Sequence, residues 1–236
     1  MAKKKQKLTV ACLQLNSKQS VSNNLVNTKK YINKACDRGA DLIVTPEITN
    51  IASLSKCHLL KNTFLEKKDP FLNEIKLLAK KRLVWVLLGS IIIKDEKRNL
   101  YNRSYLISSS GKIVCKYDKI HMFDVKISKT NTYQESKTYE SGNSAKIGKI
   151  KVNGKYYKIG MTICYDVRFP YLFRDLAIHG ADIITVPSVF MKITGEAHWH
   201  SLLRARAIET GCFIVAPAQC GSYFDQRESY GHSLII

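Results

Sequence analysis

Short apolar runs rich in β-branched residues alternate with stretches of helical periodicity along this chain, and that alternation limits the fold more than any other feature. The runs at 41–47, 84–93, 159–163 and 182–189 have the length and the flanking turn signals of buried strands. Between them, residues 23–37 repeat Leu25, Val26, Tyr31, Ile32 and Ala35 near helical spacing. Residues 69–82 offer Asp69 as an N-cap and Pro70 in the first helical position. Further helices are expected over 171–179, stopped by Gly180, and 196–210, with Gly211 as C-cap. The middle of the chain reads differently. Strands at 101–108 and 113–120 flank a Ser-Ser-Gly turn, and an Asn153-Gly154 turn joins residues 146–152 to the next strand as a hairpin. Strands at 7–15, 212–220 and 230–236 complete the reading, with irregular polar stretches at 124–144 and 222–229. This pattern predicts an α/β protein whose mixed sheets are covered by helices.

Length and composition narrow the class. A chain of 236 residues fits one large domain over 1–236 and can bury a core without staples. No apolar run approaches a membrane span, and the basic opening leads into a first strand rather than a cleavage site. The formal charge of +19 comes from 29 lysines and nine arginines spread along the chain, without an arginine–aromatic cluster. It reads as a solvated surface, with neither nucleic acid nor membrane as partner, although charge alone would permit nucleic-acid binding. The seven cysteines (12, 36, 57, 115, 164, 212 and 220) form no C-x-x-C pair and no metal spacing with the six histidines. An odd, scattered set without export signals points to a reducing cytoplasm. Neither phosphate-cradling glycine motif is present.

The chemistry gathers at strand ends. Cys164 closes the run 159–163, and Arg168-Phe169-Pro170 opens a helix after it. A cysteine at such a turn sits at a sheet's carboxyl edge, where open α/β proteins place ligands. The positive end of the following helix is expected to favour its thiolate. A small buried core residue is the bland alternative. Glu47 ends the strand 41–47, so the strand fixes where its carboxylate points. Lys119 lies in Tyr117-Asp-Lys-Ile-His-Met-Phe-Asp124. A thiol nucleophile needs a base, a buried carboxylate can serve, and an ammonium with a backbone N–H can hold a developing oxyanion. Glutamate, lysine and cysteine are thus a complete set for acyl transfer from an amide.

In order, Thr-Pro-Glu47, Lys119-Ile-His-Met-Phe-Asp and Ile-Cys164-Tyr-Asp-Val-Arg-Phe-Pro resemble the nitrilase, or carbon–nitrogen hydrolase, superfamily over essentially the whole chain. Residues 193–221, together with Ser229-Tyr-Gly-His-Ser233, are similar to its Nit branch. The resemblance implies a four-layer α-β-β-α sandwich with mixed sheets that assembles as a homodimer or higher homo-oligomer. It implies hydrolysis of a small linear amide, carboxylate-bearing and of the deaminated-glutathione or ω-amide type, through a cysteine thioester. It implies no metal or other cofactor. Glu47 would be the base, Cys164 the nucleophile, and Lys119 with the Tyr165 backbone N–H the oxyanion donors. Glu135, in Tyr-Gln-Glu-Ser-Lys, matches the family's second glutamate and would orient Lys119. Arg168 is open between meeting a substrate carboxylate and a structural role. His198, Trp199 and His200 are expected to pack and hydrogen-bond, Arg204 and Arg206 to form structural ion pairs, and Cys12, Cys115, Cys212 and Cys220 to be inert. Relatives continue past Gly-His-Ser-Leu-Ile-Ile with further strands, so missing terminal strands and an unpaired apolar edge are expected here. That departure keeps a second reading open, a catalytically impaired remnant or interaction module of the same fold.

Overall fold

Two five-stranded sheets face each other at the centre of the computed structural model, which describes residues 7–126, 132–223 and 227–236. The basic opening up to residue 6, residues 127–131 of the irregular stretch and residues 224–226 of the polar loop lie outside the described residues. The first sheet runs β1 (Val10–Cys12), β2 (Leu42–Val44), β3 (Trp85–Lys94), β4 (Leu100–Ile107) and β5 (Ile113–Asp118). Its first three strands are parallel, and β3, β4 and β5 are joined antiparallel. Two small hairpins lie apart, β6 (Asp124–Lys126) with β7 (Thr132–Gln134) and β12 (Cys220–Ser222) with β13 (Glu228–Tyr230). The second sheet is ordered β14 (Leu234–Ile235), β11 (Phe213–Ala216), β10 (Ile183–Thr185), β9 (Lys155–Met161) and β8 (Lys146–Val152). Here β9, β10 and β11 are parallel, with β8 and β14 antiparallel at the edges.

Alternation in β2 shows how the layers are built. Leu42 and Val44 enter the core between the sheets, with Leu87, Leu106, Ile150, Ile159 and Met161. Ile43, pointing the other way, joins Val86, Leu88, Tyr105 and Ile107 under two helices, α1 (Val21–Asp37) and α3 (Pro70–Arg82). These helices contribute Ile32 and Ala35, and Phe71, Leu72, Ile75, Leu78 and Ala79. Each large side chain so buried contributes about 1.5–3 kcal/mol. Ser20 caps α1 by accepting the Asn23 N–H, and Asp69 caps α3 by accepting the Leu72 N–H at 2.8 Å. On the second sheet the cover is α4 (Pro170–Ile178) and α5 (Lys192–Thr210), through Leu172, Phe173, Leu176, Trp199 and Leu203. The four-layer α-β-β-α sandwich expected from the sequence is the architecture observed.

Several local readings change. A short helix, α2 (Lys56–Asn62), was not legible because only Leu59 is buried and so no apolar stripe exists; its one signal is the Ser55 N-cap. Only Val10–Cys12 of the strand read over 7–15 pairs as β1. Residues 212–220 are interrupted around Pro217, between β11 and β12, and only Leu234–Ile235 of 230–236 pairs with β11. The irregular stretches contain the β6–β7 and β12–β13 hairpins. Cys164–Arg168 form a 3-10 turn of their own, and α4 starts only at Pro170, after Phe169. Helix α5 starts four residues before the expected Glu196. Among the described residues no helix is long and apolar enough to cross a membrane.

Candidate active site

Glu47 stands three residues beyond β2, in a turn held from several sides. The Thr45 hydroxyl accepts the Gly89 N–H at 3.0 Å, the Ser90 hydroxyl accepts the Ile48 N–H at 2.8 Å, and Gln219 donates to the Glu47 carbonyl at 2.9 Å. Gly89 is required by close approach, since a Cβ there would lie 1.9 Å from the Thr45 carbonyl oxygen and 2.4 Å from Pro187. Ile48 takes a left-handed φ of 48°, uncommon for a β-branched residue. The carboxylate so placed is 4% exposed.

Lys119 follows β5 directly, and its backbone N–H donates to the Asn102 carbonyl of β4 at 3.0 Å. Its side chain is 2% exposed, with Nζ 2.9 Å from Glu47 Oε1 and 2.9 and 2.8 Å from the two oxygens of Glu135. Glu135 begins a 3-10 turn after β7 and accepts the Phe123 N–H at 2.7 Å. Burial opposes a charge on Lys119, but the two carboxylates beside it outweigh burial and hold the ammonium well above its ordinary range.

Cys164 opens the 3-10 turn after β9, at a φ of 48°, with its N–H donating to the Pro187 carbonyl at 2.9 Å. Positive φ at a non-glycine residue is strain of the kind stored at functional sites. The thiol is 7% exposed and donates to the Val189 carbonyl at 3.7 Å, while the Val189 N–H donates to Glu47 Oε2 at 2.7 Å. Here the thiolate expectation is overturned. Burial, and after it the negative charge of Glu47, push the thiol well above its ordinary range, and Lys119 only partly offsets them. At rest Cys164 is a neutral thiol beside a carboxylate.

Asp166 joins the two halves of this arrangement. Fully buried, it accepts from the Tyr117 hydroxyl and the Ile163 N–H through Oδ2 at 2.7 and 2.8 Å. Its Oδ1 takes the His121 N–H at 3.1 Å and lies 2.7 Å from His121 Nδ1, whose ring stacks on Phe169 at 3.6 Å. Arg206 holds the far side of the turn by donating to the Val167 carbonyl at 2.9 Å, and it pairs with Glu209.

Over this cluster lies a pocket of about 360 Å³, the size of a small-molecule site. Tyr165 and Arg168 both line it. The Arg168 guanidinium sits 5.8 Å from the Tyr165 ring and 5.5 Å from that of Phe190, and 3.2 Å from His198 Nδ1. Glu47, Lys119, Glu135 and Cys164 thus come together on one pocket floor, with Tyr165 and Arg168 on its wall. Trp199 is buried and donates to the His232 carbonyl, and His200 packs against Tyr230. No group of three His, Cys, Asp or Glu residues among the described residues could hold a metal. Sequence reasoning missed Asn102, whose amide donates to Glu47 Oε1 at 2.9 Å, and Val189. Neither carries a motif, and both act through cross-strand or backbone contacts.

A buried ammonium thus lies between two carboxylates, beside a neutral thiol on a residue of positive φ. The chain belongs to the carbon–nitrogen hydrolase family, whose profile matches residues 9–236, and is an enzyme of that class. It is similar to the deaminated glutathione amidases of Yersinia enterocolitica and Dictyostelium discoideum, each 39% identical over 231 residues. The alignments cover 96% and 94% of this chain and 78% of each relative. Among solved structures it resembles the Caenorhabditis elegans NitFhit protein at a TM-score of 0.88 and 31% identity, covering 98% of this chain and 56% of that one. The Saccharomyces cerevisiae Nit3 structure, a member of branch 10 of the nitrilase superfamily, follows at 0.84 and 29%, with 98% and 82% covered. The resemblance to the Nit branch read from the motifs is borne out.

Proposed function

We propose that the protein hydrolyses a small linear amide bearing a carboxylate, through a thioester on Cys164. The observation that carries this reading is the position of Lys119 Nζ, within 2.9 Å of both Glu47 and Glu135 beside the thiol. Glu47 takes the Cys164 proton as sulfur attacks the amide carbon. Charge develops on the carbonyl oxygen, where Lys119 and the Tyr165 N–H stabilise it. Collapse breaks the carbon–nitrogen bond, and the proton on Glu47 leaves with the nitrogen as ammonia or an amine. Glu47 then deprotonates a water that hydrolyses the thioester, and the acid and free thiol are regenerated. Glu135 keeps Lys119 charged and aimed. Arg168, braced by two rings, is suited to a substrate carboxylate, and the names of the similar amidases support that substrate class. Residues 1–236 would form a single hydrolase domain working in a reducing cytoplasm as a homodimer.

Ammonia release from deaminated glutathione, α-ketoglutaramate, glutaramate, asparagine and a simple nitrile tests the reading. Release from a carboxylate-bearing amide, lost in Cys164→Ala, is expected. Turnover that survives Cys164→Ala would overturn the mechanism, and no release from a folded sample would favour the impaired remnant.

A further inference from the structure

Glu47 has to receive a proton from one direction only, and the packing around it decides which oxygen does so. A carboxylate offers about two in-plane lone-pair sites on each oxygen. Oε1 is filled by two donors, Lys119 Nζ at 2.9 Å and Asn102 Nδ2 at 2.9 Å. Oε2 holds a single backbone donor, the Val189 N–H at 2.7 Å. The Cys164 thiol lies against the carbonyl of that same Val189, at 3.7 Å. Among the described residues the lone-pair site left without a donor therefore belongs to Oε2, the oxygen bonded to the same Val189 whose carbonyl the thiol touches.

Asn102 is 1% exposed and reaches this position from β4. Its amide also approaches Glu135 Oε1 at 3.4 Å, and its backbone carbonyl holds the Lys119 N–H. Its own Oδ1 is buried and has no hydrogen-bond partner among the described residues. A buried acceptor without a partner is destabilising, and an apolar side chain of the same shape would remove that burden. Asn102 is therefore poorly chosen for stability and well chosen for its donor.

We infer that Asn102 is a positioning residue that closes Glu47 Oε1 and reserves Oε2 for the thiol proton. The inference rests on Glu47 being the base. In the step it governs, the S–H bond breaks, an O–H bond forms on Oε2, and the freed sulfur pair attacks the substrate carbon. Without the Asn102 donor, Oε1 regains an open site, and Glu47 can turn or accept a proton on the oxygen that Lys119 needs.

The test reads Cys164 directly in the full chain, so it needs no known substrate. Carbamidomethylation by iodoacetamide is followed by peptide mass spectrometry at neutral pH, with exposed Cys57 as internal reference. Asn102→Leu is expected to slow the reaction of Cys164 up to roughly hundredfold, the cost of misplacing a reacting group by about 1 Å, which outweighs the higher basicity of a carboxylate that has lost a donor. Cys57 keeps its rate, and the melting temperature stays equal to or above that of the wild type. With an amide substrate, kcat falls by a similar factor and KM does not move. Stability and reactivity moving apart is an outcome that a merely structural role does not produce. A wild-type Cys164 rate in Asn102→Leu overturns the inference. If that variant does not fold, Asn102→Ala, which has no side-chain donor in any protonation state, must show the slowing, and a wild-type rate there overturns it equally. Glu47→Gln separates the two readings. Slow alkylation in Glu47→Gln beside wild-type alkylation in Asn102→Leu removes this inference alone, whereas wild-type alkylation in Glu47→Gln removes the proposed base and the inference with it.

Discussion

Two charge clusters sit one residue apart on the same pair of strands, and they behave in opposite ways. Asn102 and the residue after it, Arg103, face opposite sides of β4, as do Asp118 and Lys119 at the end of β5. On one side Arg103 pairs with Asp118 and Glu66, at 2.9 Å to each through its terminal nitrogens, and Lys116 adds a second bond to Glu66 at 2.8 Å. Two cations meet two carboxylates there, with water at hand. Burial raises the Glu66 pKa, but donors from Lys116, Arg103 and Tyr105 outweigh it and leave the carboxyl below its ordinary range. On the other side one ammonium meets two carboxylates and a thiol, with Lys119, Glu47 and Cys164 buried and Glu135 partly so. The first cluster is neutral as a set and has nothing to exchange. The second carries an excess negative charge; in the proposed mechanism a proton passing from Cys164 to Glu47 moves that charge onto sulfur, and the attack then passes it to the substrate oxygen. Unequal charge counts under burial, rather than the presence of ion pairs, mark the reactive cluster.

The largest expected effect comes from removing the central cation on each side. Lys119→Met leaves the buried Glu47 carboxylate facing the partly buried one of Glu135 without a cation, which costs about 3–5 kcal/mol. Losing an oxyanion donor lowers kcat at least about 10²-fold as well. Arg103→Met leaves half-buried carboxylates, one still held by Lys116 and Tyr105, and costs about 1–2 kcal/mol, with kcat within about threefold. Urea unfolding and steady-state kinetics on the two variants check this. Equal losses of stability, or equal losses of kcat, would break the distinction between the clusters.

How far the sequence foretold this arrangement follows from where each group sits. Glu47, Lys119 and Cys164 each lie one to three residues past a strand, and Glu47 and Cys164 are visible as breaks after an apolar run. Glu135 was found only through the family's motif, since its stretch lacks periodicity. The layers were legible for a similar reason: residues 42–44 and 84–93 announce strands, and α1 and α3 carry apolar stripes long enough to count. Asn102 was not legible. It is an ordinary polar residue inside a strand, and its value depends on Glu47, 55 positions away. The need of the Cys164 thiol for a base was legible, but the helix end expected to favour its thiolate does not prevail, because burial and Glu47 push the thiol up. Position in a motif tells which atoms meet, and the surrounding packing sets their charge.

Asp69 sharpens the comparison at intermediate size, because it is buried without any cation. Its carboxylate caps α3 through the Leu72 N–H, and burial pushes its pKa up to about 6 despite that bond. The unfolded chain releases this proton near pH 4. Between about pH 4 and about pH 6 the native state therefore binds more protons than the unfolded state, and stability falls as pH rises through that window. Asn keeps an oxygen for the cap and carries no charge. Asp69→Asn is expected to exceed the wild type by about 3 kcal/mol at pH 7.5 and to match it near pH 4. Paired urea titrations at the two pH values measure the difference, and a gap independent of pH would show that the buried charge is not the cause.

The smallest effect is expected where the balanced cluster meets water. Lys116 is 48% exposed, and its partner Glu66 keeps Arg103 and Tyr105 when Lys116 is removed. An exposed pair of this kind is worth about 0–1 kcal/mol and is screened by salt. Lys116→Met should therefore lower stability by less than about 1 kcal/mol in low salt, by less still in 0.5 M salt, and should leave kcat unchanged. The neighbouring strand residues make this informative, since Lys116 and Lys119 lie on one short segment and differ mainly in access to water. If Lys116→Met proved as destabilising as Lys119→Met and insensitive to salt, the two clusters would be one coupled network, and charge imbalance would no longer separate the reactive side from the structural one.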